Sequence, residues 1–289
     1  MWLAFALLSA ALLGFYDVCK KHSLRDNAVI PILFLNTLFC SIIFLPFAFK
    51  TPFGGWEMQR YILLKAFIVL SSWLLGYIGI KNLPITIIGP INATRPVMVL
   101  VGALLIFGER LNLWQWAGVV LAILSFFLLS RSGKKEGIDF KHNRWILCTV
   151  GAAVLGAISG LYDKYLMATE GGLGLPRLTV QCWYNFYQCI MMGIMLLLLW
   201  WPTRKGSTPF RWRWSILFIS IFLSIADYVY FYSLSLDGAL ISVVSMVRRS
   251  SVLVSFILGA LLFHEKNLRS KAIDLALVLL SMVLLWLGQ

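Results

Sequence analysis

RSGKKEGIDFKHNR, residues 131–144, is the longest charged stretch between apolar runs, and five such runs lie on either side of it. Upstream they occupy about 2–20, 29–49, 61–80, 84–107 and 112–130; downstream, about 145–167, 177–201, 213–235, 239–263 and 272–288. Each holds roughly 17–25 residues, enough at 1.5 Å per residue to cross ~30 Å of hydrocarbon. The reading is an all-α integral membrane protein of ten transmembrane helices, with residues 1–131 as one five-helix unit, 132–144 as the connector and 145–289 as a second five-helix unit. The short connectors predict that successive helices are antiparallel neighbours.

Composition agrees. Hydrophobic residues make up 60% of the chain and charged residues 13%, against roughly 25% charged in a soluble domain. A soluble domain could not hide so much apolar surface, so the bilayer is the expected solvent and membrane lipid the expected surround. The net charge of +13 sits in the connectors, as membrane proteins distribute it, which argues against nucleic acid as a partner. Tryptophans gather near the run ends, among them Trp56, Trp114, Trp145, Trp201, Trp214 and Trp286, as interfacial anchors do. Trp2 to Cys19 lacks a basic leader and an A-x-A cleavage site and has a downstream counterpart, so it reads as a span and not a removed signal. The five cysteines form no CxxC pair and His22, His142 and His264 stand apart, so no metal or other cofactor is expected.

The two units resemble each other. Gly14-Phe15-Tyr16-Asp17 matches Gly160-Leu161-Tyr162-Asp163 in the corresponding span. Gly102-Ala103-Leu104-Leu105, followed by Glu109, matches Gly259-Ala260-Leu261-Leu262, followed by Glu265. Because each unit has an odd number of spans, the second must cross the membrane upside down relative to the first. Inverted repeats of this kind surround a central cavity in transporters, where exchanging the conformations of the halves gives alternating access.

Two five-span halves, a glycine near the end of the first helix and Gly108-Glu109-Arg110-Leu111 after the fourth resemble the EamA-type drug/metabolite transporter superfamily. The Asn82-Leu83-Pro84 corner, Pro96 and Gly118 agree with that pattern. The chain departs from it at Leu13, where a tryptophan is frequent, near Val252, where a proline is frequent, and at His264-Glu265-Lys266, which lacks the usual glycine. The resemblance implies a cavity lined by spans 1, 3, 4, 6, 8 and 9, export of amino acids or other small metabolites, cytoplasmic termini, and packing or gating roles for Glu109 and Glu265.

Function is read from polar groups at membrane depth, each of which costs several kcal/mol unless it faces a cavity or a partner. Arg95 lies near the middle of span 4, and Arg248 and Arg249 lie near the middle of span 9. Aligning the halves on Tyr77 and Tyr230 pairs Arg95 with Arg248, whereas aligning them on Glu109 and Glu265 places Arg95 opposite Ser251. Adjacent arginines on a helix point about 100° apart, so only one can face a cavity squarely, and Arg248 is the choice. The candidate substrate-binding set is Arg95, Arg248, Asn92, Asp227, Tyr230, Trp73 and Tyr77, in which guanidinium forks grip a carboxylate or phosphate. A salt bridge from Asp227 to one arginine is the competing expectation, and it still leaves an arginine without a carboxylate. Asp17 and Asp163 are candidates for coupling to a proton or counter-substrate, or else pair with nearby lysines such as Lys20 and Lys164. Gln181, Asn185 and Gln188 share one face of span 7 and read as amides that join helices.

Roughly sixteen Lys and Arg flank one side and about six, Lys65 among them, the other; this bias alone puts both termini outside, opposite to the family expectation. The leading function is a secondary transporter of a small anionic or zwitterionic metabolite, in the plasma or inner membrane, as a monomer or weak dimer. A lipid-substrate flippase is the runner-up. An integral-membrane enzyme ranks below it, because no Ser/His/Asp set, paired carboxylates or metal cluster occurs in the sequence.

Overall fold

The computed structural model describes residues 2–51, 53–95, 97–99, 101–102, 112–134, 142–167, 172–206, 208–235, 247–263 and 268–288. Glu109, Glu265, Pro96, the Gly108 to Leu111 motif, His264, Lys266 and most of the 132–144 connector lie outside them. The described elements are helices: α1 (Trp2–Leu24), α2 (Val29–Ala48), α3 (Gly55–Asn82), α4 (Ile85–Ala93), α5 (Leu113–Lys134), α6 (Arg144–Met167), α7 (Arg177–Met195), α8 (Trp214–Ser235), α9 (Ser251–Phe263) and α10 (Leu268–Leu287). A π-helical turn, Leu196–Trp200, carries α7 on to Trp201–Thr203. Among the described residues, five segments are long and apolar enough to cross a membrane: Leu3–Leu24, Val29–Ala48, Gly55–Asn82, Arg144–Asp163 and Arg177–Thr203.

Apolar side chains fill the interior, Ile32, Leu33, Ile87 and Ile91 among them, and they also cover the outside, while polar groups share the interior with them. Leu63, Phe67, Ile123, Leu147, Ile190 and Ile257 are exposed, while Ser, Thr, Asn, Gln and even Lys side chains are buried. In lipid, apolar faces gain nothing by turning inward, so helices associate through close packing and polar contacts. Four buried serines make those contacts across the broad seams. Ser9 Oγ donates to Ala226 O at 2.7 Å between α1 and α8, and Ser72 Oγ to Ala152 O at 2.7 Å between α3 and α6. Ser125 Oγ donates to Asp274 O at 2.7 Å between α5 and α10, and Ser41 Oγ to Asn185 O at 3.0 Å between α2 and α7.

Successive helices do touch, α1 with α2, α2 with α3 and α3 with α4, but they are not the main partners. The broadest packing joins helices far apart in sequence, α1 with α8, α3 with α6, α5 with α10 and α2 with α7, whereas α1 with α2 and α3 with α4 meet only narrowly. The reason is where the small and hydroxyl residues lie: they face across the seams, and the short connectors merely turn the chain.

Connectors are tied to one another by side-chain amides. Asn27 Nδ2 donates to Arg211 O at 2.7 Å and Asn27 Oδ1 accepts from Arg211 N at 2.9 Å, pinning the connector after α1 to the one before α8. Asn112 and Gln115 cap α5 reciprocally, Gln115 N donating to Asn112 Oδ1 at 2.9 Å and Asn112 N to Gln115 Oε1 at 3.0 Å. Asn143 Oδ1 accepts from Trp145 N at 2.9 Å at the start of α6.

Where α1 crosses α9, Gly14 lets the backbones approach: a Cβ there would strike Val254 and lie 3.1 Å from Ser251 O. Gly14→Ala therefore forces α1 and α9 apart, and overpacking of this kind costs about 1–3 kcal/mol. Its melting temperature should fall, while that of Gly206→Ala, where an added Cβ meets nothing within 4 Å, should not move. An unchanged melt for Gly14→Ala would refute the close crossing.

Candidate functional site

The fourth run does not pass through the protein as one helix. α4 ends at Ala93, and Thr94 turns the chain, its N–H and hydroxyl both donating to Ile91 O at 3.2 and 2.7 Å. Helical backbone resumes at Arg95. Pro90, inside α4, lacks an N–H, so the ladder loses a donor ahead of the turn. The ninth run repeats the device. Residues 247–249 are helical, and Ser250 then turns the chain, its N–H and hydroxyl both donating to Val247 O at 3.0 and 2.6 Å, before α9 begins at Ser251. Inside a membrane such breaks occur where the backbone is sheltered by protein or lines a cavity. Arg95 follows the first break and Arg249 precedes the second.

Arg95 lies flat on α6. A Cβ at Gly156 would sit 2.8 Å from both Cζ and Nη1 of the guanidinium, so any larger residue there would push the guanidinium off this seat. Arg95 Nη2 donates weakly to Ala152 O at 3.4 Å, a carbonyl already taken by Ser72, and its buried Nε has no partner. Asp17 and Tyr16 are the groups whose negative potential reaches it.

Arg248 is differently held. It forms an ion pair with Asp227 of α8, and its guanidinium stacks on the Tyr230 ring at 4.3 Å from the centroid. Arg249, one residue on, is directed elsewhere. The cations whose potential it feels are Arg95 and then Arg248, and the groups that attract it are Tyr230 and Asp17. Among the described residues no carboxylate lies within 4 Å of Arg95 or Arg249.

Each carboxylate in the span 1 and span 6 match is held by a lysine. Lys20 Nζ donates to Asp17 Oδ1 at 2.9 Å and lies 4.3 Å from the Tyr16 ring centroid and 5.2 Å from that of Tyr77. Asp163 is paired with Lys65 of α3, which lies 5.0 Å from the Tyr184 centroid. Lys65 is buried, so it is not the interfacial charge that the sequence suggested, and it, not Lys164, is the described partner of Asp163. Tyr77 is buried, its hydroxyl facing Tyr16 without completing a hydrogen bond. Trp73 packs half-buried against the main apolar core, and Asn92 is half-buried one residue before α4 ends.

The structure thus gathers Arg248, Asp227 and Tyr230 in one cluster, Asp17, Lys20, Tyr16 and Tyr77 in a second, and Asp163, Lys65 and Tyr184 in a third, with Arg95 set on α6. A separate cavity of about 610 Å³ opens at the end of α1, α3 and α9, lined by Lys21, Arg25, Asp26, Lys81, Asn82 and Thr208 among others.

The profile of the EamA-like transporter family matches residues 1–131 and again 143–287. The chain belongs to that family. It is a multi-pass membrane protein, and the family and its relatives point to transport. An uncharacterized transporter of Archaeoglobus fulgidus is 27% identical over 138 residues, 45% of this EamA-like chain. The chain spans about half (48%) of that relative's length. A solved crystal structure superimposes with a TM-score of 0.65 over 99% of this chain and 97% of its own, at 15% identity, a likeness of fold.

The interior of this EamA-like chain departs from the sequence reading at several polar residues. Lys65 sits inside Ile62-Leu63-Leu64-Lys65-Ala66-Phe67, apolar on both sides, and that flanking was the available signal. Lys271 is fully buried and donates to Thr86 Oγ1 of α4 at 2.9 Å. Gln188 is buried with neither end of its amide hydrogen-bonded among the described residues, so it does not join helices as expected. Asn185 engages α2 by its backbone carbonyl rather than by its side chain.

The pairing of Arg248 with Asp227 separates the arginines by experiment. Arg248→Met strands Asp227 and should destabilise by about 3–5 kcal/mol, and Arg248→Met with Asp227→Leu should recover most of that loss. Arg95→Met strands no carboxylate and should melt close to the parent protein. Equal destabilisation by the two single variants would refute this division of roles.

Proposed function

We propose that the protein is a secondary-active carrier of the plasma or inner membrane that moves a small anionic or zwitterionic metabolite by alternating access. Its working unit is ten spans in two inverted five-helix repeats around a central site, active as a monomer or weak dimer. The observation that carries this reading is Arg95: a half-buried arginine at a helix break, seated on a glycine floor, with no carboxylate among the described residues. A guanidinium in such surroundings is stabilised by an incoming anion more than by anything the protein supplies.

The inverted repeat has support in the packing. Exchanging each helix for the one five places along turns the α1–α8 seam into α6–α3, α1–α9 into α6–α4, and α2–α8 into α7–α3, all of which are present. The α2–α7, α4–α9 and α5–α10 contacts map onto themselves. The two breaks have matching chemistry at Thr94 and Ser250, which favours the register that sets Arg95 opposite Ser251.

Coupling is assigned to Asp17 and Asp163. A proton or counter-substrate would compete with Lys20 and Lys65 for their carboxylates, loosening α1 in one half and the α3–α6 seam in the other. Gating by Glu109 and Glu265 follows from the family pattern.

Thermal unfolding of the purified chain with carboxylates, phosphates, amino acids and quaternary ammonium ions tests the class. A ligand of the folded state at a hundredfold its Kd stabilises by about 2.7 kcal/mol. Anionic or zwitterionic compounds should raise the melting temperature, Arg95→Met should abolish the rise and the uptake by proteoliposomes, and quaternary cations should have no effect. A cation that binds and is transported equally well by Arg95→Met would overturn the reading.

A further inference from the structure

We infer that the central site is built for a dianion, a small molecule bearing a phosphate monoester or two carboxylates, clasped between Arg95 and Arg249, with Arg248 as scaffold. This deepens the carrier reading and rests on it.

The charges that meet around the two helix breaks are unequal. Lys20, Arg95, Arg248 and Arg249 supply four cations, and Asp17 and Asp227 two carboxylates. Among the described residues, Lys20 answers Asp17 and Arg248 answers Asp227, so the two charges left over are those of Arg95 and Arg249. The nearby Lys65 and Asp163 cancel each other and change nothing in this count. Two guanidinium groups that repel one another across a low-dielectric interior are costly unless something of opposite charge lies with them. A monoanion leaves one of them unanswered, and a dianion answers both.

The fold holds these two arginines in place by means other than counter-charge. Arg95 is spread over Gly156, where any Cβ would collide with it, and its weak bond to Ala152 O leaves Nε unused. Arg249 is fixed through its neighbour: Arg248 is pinned by Asp227 and by the Tyr230 face, and the next side chain on the same turn must point about 100° away. Each arginine adjoins a break, one just after Thr94 and the other just before Ser250. α4, which ends two residues before Arg95, and α9, which begins two residues after Arg249, pack against one another, with Val252 against Gly89 and Ile85 against Gly259. Two planar forks converging from opposite halves suit a ligand with two anionic faces, since each fork can donate two parallel N–H bonds.

The experiment uses the purified full chain in nanodiscs and measures binding of matched probes by calorimetry at neutral pH. Succinate is compared with its monoamide, methyl phosphate with dimethyl phosphate, and glycine serves as the zwitterion. At least one dianion should bind about tenfold or more tighter than its monoanionic partner. The pair that shows the preference tells dicarboxylate from phosphate monoester. In Arg249→Gln the preference should collapse towards one with the melting temperature unchanged, because no carboxylate is stranded; Arg249→Lys should keep part of it. Arg248→Gln in an Asp227→Asn background, where an amide pair can replace the ion pair that holds this turn, should keep the preference, and its loss there would place Arg248 in the site and not in the scaffold. If the monoanion or glycine binds as tightly as the dianion, the inference fails while the carrier reading stands. If the preference persists in Arg249→Gln, the assignment of Arg249 fails. If none of the anions or glycine binds at millimolar concentration, both readings fail.

Discussion

A charge buried among helices in a bilayer must meet a counter-charge, a polar group or water, or it costs several kcal/mol. The interior of this protein is organised around that constraint. Lys20 is answered by Asp17, Lys65 by Asp163 and Arg248 by Asp227, each across or along packed helices and each with an aromatic face beside the cation. These pairs do more than cancel charge. Lys65 ties α3 to α6 and Arg248 ties the start of the ninth run to α8, so the seams that serines join at backbone level are joined again at side-chain level. Against that background of satisfied charge, Arg95 and Arg249 are the exceptions among the described residues.

Local backbone chemistry makes the exceptions possible. An uninterrupted helix through span 4 would give Arg95 a regular turn on either side and no freed carbonyls. Pro90 and Thr94 prevent that, and the Thr94 hydroxyl stabilises the turn by bonding back to Ile91 O. Ser250 does the same for Val247 O in the ninth run. Gly156 supplies the remaining element: a flat patch of α6 against which a guanidinium can lie. Three residue types, proline, a short hydroxyl and glycine, thus turn two apolar spans into a place where a charged side chain can remain.

Much of the architecture was legible from the sequence because it rests on length and hydropathy. The apolar runs, the charged divide at 131–144 and the Gly-x-Tyr-Asp match all follow from local composition, and the helices α1 to α10 fall within or close to those runs. The neighbours of each helix were not legible, since they depend on which face carries Ser9, Ser72 or Ser125, and a serine in an apolar run does not announce its partner. The same limit applied at the site. The sequence could say that Arg248 and Arg249 diverge, but choosing between them required the position of Asp227, which arrives from α8. Lys65 lies near a run end in the sequence, and only the packing of α3 on α6 shows it buried; the packing of α10 on α4 does the same for Lys271.

The distribution of these groups bears on how such a fold can move. α1 and α8 share one broad seam, and α3 and α6 share its counterpart. A motion that keeps those two seams intact while changing how α1 meets α9 and how α4 meets α6 would preserve the serine bonds and both Lys–Asp pairs. The crossings that must change are those floored by glycine, Gly14 beneath Val254 and Gly156 beneath Arg95, where no side chain interlocks and sliding costs least. Arg95 lies on one of those crossings, and the Arg248–Asp227 pair ties the ninth run to the α1–α8 unit. A ligand held by Arg95 and its partner from the ninth run would therefore touch both sides of the moving boundary, and its binding energy would differ between the two arrangements of the halves, which is the thermodynamic requirement for a ligand to bias a conformational equilibrium.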